Sequence, residues 1–325
     1  MKANASRSRR ITTILILVLL TAGISSYCYG QTNGDYQSRA TGNWNSNLTW
    51  QKYSGGAWAN CGAGDYPGAT TGAGTVTVRP SHTVTFNATP AYSIGGLIIQ
   101  SNLSYNGTYT LTVTGDFSIS AGTLNLSSVN NRIGTLNIGG NFSISGGTIT
   151  VSSNRNGIIV FNKSGTQTYV KTGGAISNDV RFTVNSGSDF DMGSYVLDGS
   201  GPSFTLSSGA TLTTAHADGI SVSPTLSGCI QVSGTRSFNT GANYVYNGTT
   251  AQITGTGLPA SVNNLTINNP AGVSLTNNLT VTNALTMTQG NIVSGTNTLI
   301  LSGSTLNYTA GTITGKFQRA VSATG

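Results

Sequence analysis

The most concentrated pair of potentially catalytic side chains in this sequence is Asp189 and Asp191, which flank Phe190. Residues two apart on a β-strand project from the same face. The two carboxylates could therefore contact a Ca²⁺ ion or act in polysaccharide cleavage together with the basic residue Arg181. If the strand buries Phe190, however, both carboxylates point into solvent. We interpret them as solvated strand residues and keep Ca²⁺ binding as a weak alternative.

A second candidate is the segment His216-Ala-Asp218-Gly219, in which an imidazole and a carboxylate could form an acid–base pair. Its glycine favours a turn. The sequence contains no Glu, no Gly-rich phosphate loop, no Cys/His metal spacing and no serine nucleophile elbow. We predict that the chain is not an enzyme and uses no cofactor. A polysaccharide lyase or hydrolase is the alternative.

The three tryptophans, Trp44, Trp50 and Trp58, all lie within residues 31–74, whose composition differs from that of the following chain. Aromatic rings can stack on the apolar faces of sugars, so we treat these residues as candidate ligand-binding positions. Alternatively, they form an atypical N-terminal cap that covers the open end of a repetitive core. Both interpretations stay open from sequence alone.

The N-terminal segment 1–30 predicts a secretory signal peptide. Four Lys and Arg residues precede the apolar run Ile11–Leu20, which is too short to span a bilayer comfortably. Small residues follow, and we place cleavage after Gly30. We therefore expect a secreted or cell-surface protein whose mature chain has no transmembrane segment.

The formal net charge of the whole chain is +7. Without the predicted signal peptide, 11 Lys and Arg residues and 8 Asp residues remain, which gives a net charge of +3. The basic residues are scattered, so no electrostatic footprint for nucleic acid is present.

Cys61 and Cys229 fall in distant regions and are interpreted as small core residues rather than a disulfide. We expect a monomer whose partners are extracellular polysaccharide or matrix.

The candidate functional side chains must be positioned by the strands of the fold. The clearest signal for those strands is a repeat that occurs twice within residues 111–151. Its two copies, 111–126 and 136–151, share Gly122/Gly147 and six apolar positions at a spacing of about 25 residues, a period typical of solenoid repeats. A third copy begins at Leu279. The apolar pairs are Leu111/Leu136, Val113/Ile138, Phe117/Phe142, Ile119/Ile144, Leu124/Ile149 and Leu126/Val151.

Each copy contains three short runs in which apolar and polar residues alternate, separated by Gly, Asn and Ser. This pattern is typical of one coil of a β-solenoid, which is stable only when neighbouring coils cover its core. We predict an all-β protein: a single-stranded, right-handed parallel β-helix of pectin-lyase-like architecture over residues 75–325, with about 12 coils. Phe117 should lie directly beside Phe142 in the next coil.

Several segments, such as Tyr246–Gln252, residues 257–269 and the opening 38–50, have a composition and spacing that resemble a known family. They are similar to large, repetitive, adhesin-like cell-surface proteins of Gram-negative bacteria that use type IX secretion. The resemblance implies export to the outer-membrane surface. The sorting domain of that family is not visible, and the last strand pattern is unfinished at Gly325. We therefore expect a solenoid that is truncated at its C-terminus. The sequence does not decide between a sorting domain and a catalytic domain as the missing part.

These features together predict a secreted structural or adhesive solenoid that serves as a spacer or stalk. Its outer surface, rich in Thr, Ser and Asn, suits weak, multivalent contact with glycans or matrix. The alternative is a β-helix that binds or degrades polysaccharide.

Overall fold

Period-two alternation of apolar and polar residues folds most of the chain into short strands that bury every second side chain. The computed structural model describes residues 30–319, so residues 1–29 of the predicted signal peptide lie outside the described residues. The only helix in that range is a short 3-10 turn, Asn47–Thr49.

The strands follow one another at short intervals. Up to the middle of the chain they are β1 (Tyr36–Ser38), β2 (Gly42–Asn43), β3 (Trp50–Ser54), β4 (Ala57–Asn60), β5 (Ala73–Val78), β6 (Thr83–Phe86), β7 (Ile94–Ile99), β8 (Asn102–Tyr105), β9 (Thr110–Val113), β10 (Phe117–Ile119), β11 (Thr123–Asn125), β12 (Thr135–Ile138), β13 (Phe142–Ile144), β14 (Thr148–Thr150), β15 (Gly157–Phe161) and β16 (Gly165–Lys171). The remaining strands are β17 (Ala175–Ile176), β18 (Val180–Val184), β19 (Ser188–Asp191), β20 (Leu197–Gly199), β21 (Ser203–Leu206), β22 (Thr211–Thr214), β23 (Ile230–Val232), β24 (Arg236–Phe238), β25 (Asn243–Tyr246), β26 (Gln252–Ile253), β27 (Ser261–Asn268), β28 (Val273–Ser274), β29 (Leu279–Gln289), β30 (Ile292–Leu301), β31 (Thr305–Tyr308) and β32 (Ile313–Arg319).

These strands stack in parallel as a β-solenoid of about 11 turns, which confirms the predicted parallel β-helix. The parallel pairing already includes two strands that precede β5, because β1 pairs with β5 and β2 pairs with β6. The first ladder of the solenoid runs through β5, β7, β10 and β13 to the C-terminal half of β16. A second, separate ladder begins at the N-terminal half of β16 and runs through β19, β22, β25, β27 and β29 to β31. A third ladder contains β9, β12, β15, β18 and β21, and a fourth contains β6, β8, β11, β14 and β17.

The two copies of the repeat lie in adjacent coils in the predicted register. Phe117 pairs with Phe142, and their rings stack with centroids 4.9 Å apart. The same column continues to Tyr169, whose centroid lies 5.7 Å from that of Phe142. The third copy, which begins at Leu279, likewise buries its apolar positions. The sequence period therefore corresponds to one step along the stack.

Glycine recurs at one corner of the repeat because the backbone there is left-handed. Gly122 has φ of 72° and Gly147 has φ of 71°. A Cβ on Gly147 would lie 2.7 Å from the carbonyl oxygen of Gly122 in the preceding coil. The corner thus requires glycine for both its conformation and its close approach to the neighbouring coil.

An antiparallel sheet covers the N-terminal end of the solenoid. Strand β3 lies between β1 and β4, and the outer edge of β1 pairs in parallel with β5. Trp50, the first residue of β3, packs against Trp44 with ring centroids 5.0 Å apart, and Trp44 also packs 4.9 Å from Phe86 of β6. We call this arrangement the cap, and its strands β1, β3 and β4 the cap sheet.

Both cysteines among residues 30–319, Cys61 and Cys229, are free and buried. They occupy the core positions predicted for them. Burial raises the pKa of each thiol from 9.0 to about 11. Burial also raises the pKa of the Tyr105 and Tyr246 hydroxyls above the ordinary value of 10.0.

We expect the protein to lose stability as the pH rises above about 9. A thiol or phenol whose folded-state pKa lies above its unfolded value contributes full stability below the unfolded pKa. That contribution is lost as the pH rises toward the folded pKa, which for Cys229 means between 9.0 and about 11. Denaturant titrations across this range measure the loss.

The matched variant for this prediction is Tyr105→Phe, because the Tyr105 hydroxyl is buried and has no hydrogen-bond partner among residues 30–319. Removing it should leave stability at neutral pH unchanged or slightly higher. It should also reduce the loss above pH 10. A variant as sensitive to alkali as the wild type would contradict the assignment to buried phenols.

Candidate functional site

The paired carboxylates lie on β19, where Asp189 accepts hydrogen bonds from neighbouring strands and Asp191 accepts one from the turn that follows. The Asp189 oxygens accept from the Thr166 hydroxyl at 3.0 Å and from the Thr213 hydroxyl at 2.7 Å. Asp191 accepts from the backbone N–H of Gly193 at 2.9 Å. Within residues 30–319, no group of three or more His, Cys, Asp or Glu residues is arranged to hold a metal. The weak Ca²⁺ candidate therefore has no third ligand of these types in that range.

The basic residue considered with this pair has a different partner. Arg181 donates to both carboxylate oxygens of Asp179, at 3.1 and 3.0 Å. The hydrogen bond to Asp179 raises the pKa of Arg181, so the guanidinium stays charged. Asp189 and Asp191 have no salt bridge to it, and the structure does not bring the three residues together as a catalytic group.

The His216–Asp218 segment forms a turn, as its glycine predicted. The backbone N–H of Gly219 donates to the His216 carbonyl at 2.9 Å. The His216 ring lies within 3.2 Å of the backbone nitrogen of Asp218, which donates to its Nδ1 atom. The imidazole is thus used to close the turn rather than to pair with the carboxylate.

Two of the three tryptophans are not available to a ligand. Trp44 and Trp50 are fully buried, and each indole N–H is used internally. Trp44 donates to the Pro67 carbonyl at 3.0 Å, and Trp50 donates to the Trp44 carbonyl at 2.7 Å. The prediction that these two rings bind sugar is corrected, because both rings are packed inside the cap and have no surface that a ligand could contact.

Trp58 lies on the outer face of the cap sheet, half-buried and beside Tyr53. Their ring centroids are 5.3 Å apart at an interplanar angle of 67°. Strand register places three amide side chains on the same face, since Gln51 pairs with Asn60 and with Gln37. We call this surface the cap platform; it consists of Gln37, Gln51, Tyr53, Trp58 and Asn60.

The amides of the cap platform are held in a row. Gln37 donates to Gln51 at 3.0 Å, and Gln51 donates to Asn60 at 3.2 Å. Aromatic faces beside aligned amides are groups that can contact the apolar and hydroxyl surfaces of a sugar. Sequence reasoning missed Tyr53 and the amides, although Gly55-Gly56 between two polar–apolar runs is a hairpin signal that would have paired Tyr53 with Trp58.

A second feature follows the ladder that runs from β16 to β31. Its outward side chains are mostly hydroxyls and amides, and several of them bond from coil to coil. For example, Asn264 donates to Asn243 at 2.8 Å, and Asn283 donates to Asn264 at 2.8 Å. We call this column the outer ladder; strand register assigns it Thr166, Thr168, Asp189, Asp191, Thr211, Thr213, Asn243, Val245, Asn264, Thr266, Ala284, Thr286, Thr305 and Asn307.

The fold and these surfaces define a capped parallel β-solenoid. Comparison with protein-family models, with curated proteins and with solved structures finds no match. Among residues 30–319 there is also no helix with the length and apolarity that crossing a membrane requires.

Proposed function

We propose that this chain is a secreted, surface-displayed adhesive solenoid that acts as a spacer or stalk and makes weak, multivalent contacts with extracellular glycans or matrix. The outer ladder is the observation that carries the proposal. It presents a hydroxyl or amide side chain in most of its coils, at the roughly 4.8 Å spacing of stacked strands.

Repetition of this kind favours avidity over single-site affinity. Each hydroxyl or amide contributes little by itself, because water competes for the same hydrogen bonds. Several contacts on one polymer add through effective concentration. The signal-like N-terminus and the resemblance to exported repetitive proteins support a location outside the cell.

We also propose that the chain is not an enzyme. Asp189 and Asp191 are used as acceptors within and beside the outer ladder, and Arg181 is paired with Asp179. The test is incubation with polyuronates and glycosaminoglycans while the absorbance of unsaturated products is followed. Turnover that disappears in Asp191→Asn would contradict this proposal.

The cap platform gives the adhesive proposal a residue-level test. Trp58→Ala should weaken glycan binding about tenfold, equivalent to roughly 1.4 kcal/mol, because the accessible ring supplies the stacking surface. Binding is measured on a glycan array and then by calorimetry with the best neutral oligosaccharide.

The matched control for this variant is Leu48→Ala, which removes an exposed apolar side chain from the same cap but outside the platform. Both variants should melt at the wild-type temperature. Wild-type affinity in Trp58→Ala would remove the platform from the binding surface, and absence of glycan binding by the wild type would refute the adhesive proposal.

A further inference from the structure

A groove of about 540 Å³ lies on one corner of the solenoid, where the turns of three successive coils stack. Its polar lining comes from all three turns: Ser152, Asn154, Arg155, Asn178, Asp179 and Ser200. The groove therefore runs along the stack, which suits an extended ligand rather than a compact one.

Cross-turn hydrogen bonds hold the walls in place. The Asn178 side chain donates to the Val151 carbonyl at 2.8 Å, and its backbone N–H donates to the Ser200 carbonyl at 2.8 Å. On the opposite side, Asn154 accepts from the backbone of Asn131 at 2.9 Å. A groove tied between turns in this way loses little conformational freedom when a ligand binds.

The charges in this groove do not cancel. The Asp179 carboxylate is matched by the two-pronged contact from Arg181, at 3.1 and 3.0 Å. Arg155 is exposed, and within residues 30–319 its guanidinium forms no hydrogen bond or salt bridge. The groove thus presents one uncompensated cation among hydroxyls and amides.

We propose that this corner groove binds an acidic oligosaccharide, with a carboxylate or sulfate group on Arg155 and sugar hydroxyls on Ser152, Asn154 and Ser200. A guanidinium can contact such an anion through two parallel N–H bonds. The groove lining contains no aromatic side chain on which a nucleic-acid base could stack. This inference rests on the proposed glycan-binding function and identifies a further contact surface, separate from the outer ladder and the cap platform.

The experiment is calorimetric titration of the full chain with three probes of equal length: oligogalacturonate, a heparin-derived oligosaccharide and a neutral galacto-oligosaccharide. At least one acidic probe should bind the groove and bind more weakly as salt is added. Arg155→Gln should reduce that affinity at least tenfold. The preference between the two acidic probes tells whether carboxylate or sulfate is recognised.

Arg79→Gln is the matched control, because it removes the same charge from an exposed arginine of the first coil. It should bind the acidic probe like the wild type, and both variants should melt alike. Hydrogen exchange supplies a second readout: the bound probe should protect residues 151–156 and 178–181.

Wild-type affinity in Arg155→Gln, or protection elsewhere only, would overturn the groove proposal. If neutral glycans still bind through Trp58 in that case, the adhesive function stands without the groove. If no acidic probe binds the wild type, the groove proposal also fails, whatever the cap platform does.

Discussion

Phe142→Ala is expected to lower the free energy of unfolding by about 3–5 kcal/mol, the usual cost of deleting a fully buried aromatic side chain. The Phe142 ring is fully buried and sits at the centre of an aromatic column. Ring centroids from neighbouring coils lie between 4.9 and 6.5 Å away. The substituted side chain would leave a cavity shared by several coils, which stacked strands cannot close without losing register.

Denaturant unfolding followed by circular dichroism measures this effect. The control is Ser143→Ala, one residue along the same strand and on the outward face, which should change stability by no more than about 0.5 kcal/mol. The solenoid core would need reinterpretation if the two variants had similar stability.

Trp44→Ala is expected to have a comparable effect, about 3–5 kcal/mol, but at the end of the solenoid. The variant loses the packing of the ring on Trp50 and Phe86. It also leaves the Pro67 carbonyl without the indole donor that it accepts from at 3.0 Å. A loosened cap exposes the first coil, whose free strand edges can pair with another molecule.

The measurements are thermal melting and light scattering, and we expect earlier melting together with self-association. Trp58→Ala is the control, since its ring lies on the outer face and the variant should melt like the wild type. Equal destabilisation by the two substitutions would contradict the division of the tryptophans into buried cap residues and a surface residue.

The alternation of apolar residues along the chain and the 25-residue spacing of the twin repeat were sufficient to predict the coils. Both signals are local: period two selects the inward side chains, and the spacing selects the partner in the next coil. Phe117 and Phe142 are therefore paired as expected. The predicted count of about 12 coils is close to the observed 11 or so.

The orientation of the tryptophans could not be predicted from local sequence signals. Whether Trp44 and Trp50 face inward depends on how the cap sheet is docked, and that is set by the pairing of β1 with β5, a strand that follows the whole cap sheet in the chain. In composition and sequence position the three tryptophans are alike. The structure separates two that fill the cap from one that borders the cap platform.

The polar contacts could not be predicted for a related reason. Asp189 finds its partners at Thr166 and Thr213 because the coils on either side have those particular lengths. The corner groove depends in the same way on the lengths of three consecutive turns. Coil length varies along this chain, so no single spacing identifies which outward side chains become neighbours.

The register between coils has a consequence for how fast the chain can fold. The sequence separation between hydrogen-bonded partners in adjacent coils is 20 for Val262 and Thr282 and 32 for Thr211 and Asn243. In a chain of 325 residues these separations correspond to a relative contact order of roughly 0.06–0.10, a range typical of helical bundles rather than of β-sandwiches. Because the cap precedes the coils, it can form first and offer a single growing edge. Each later coil then closes only a short loop, so this all-β chain should fold by sequential addition without the slow long-range search that most sheet proteins require.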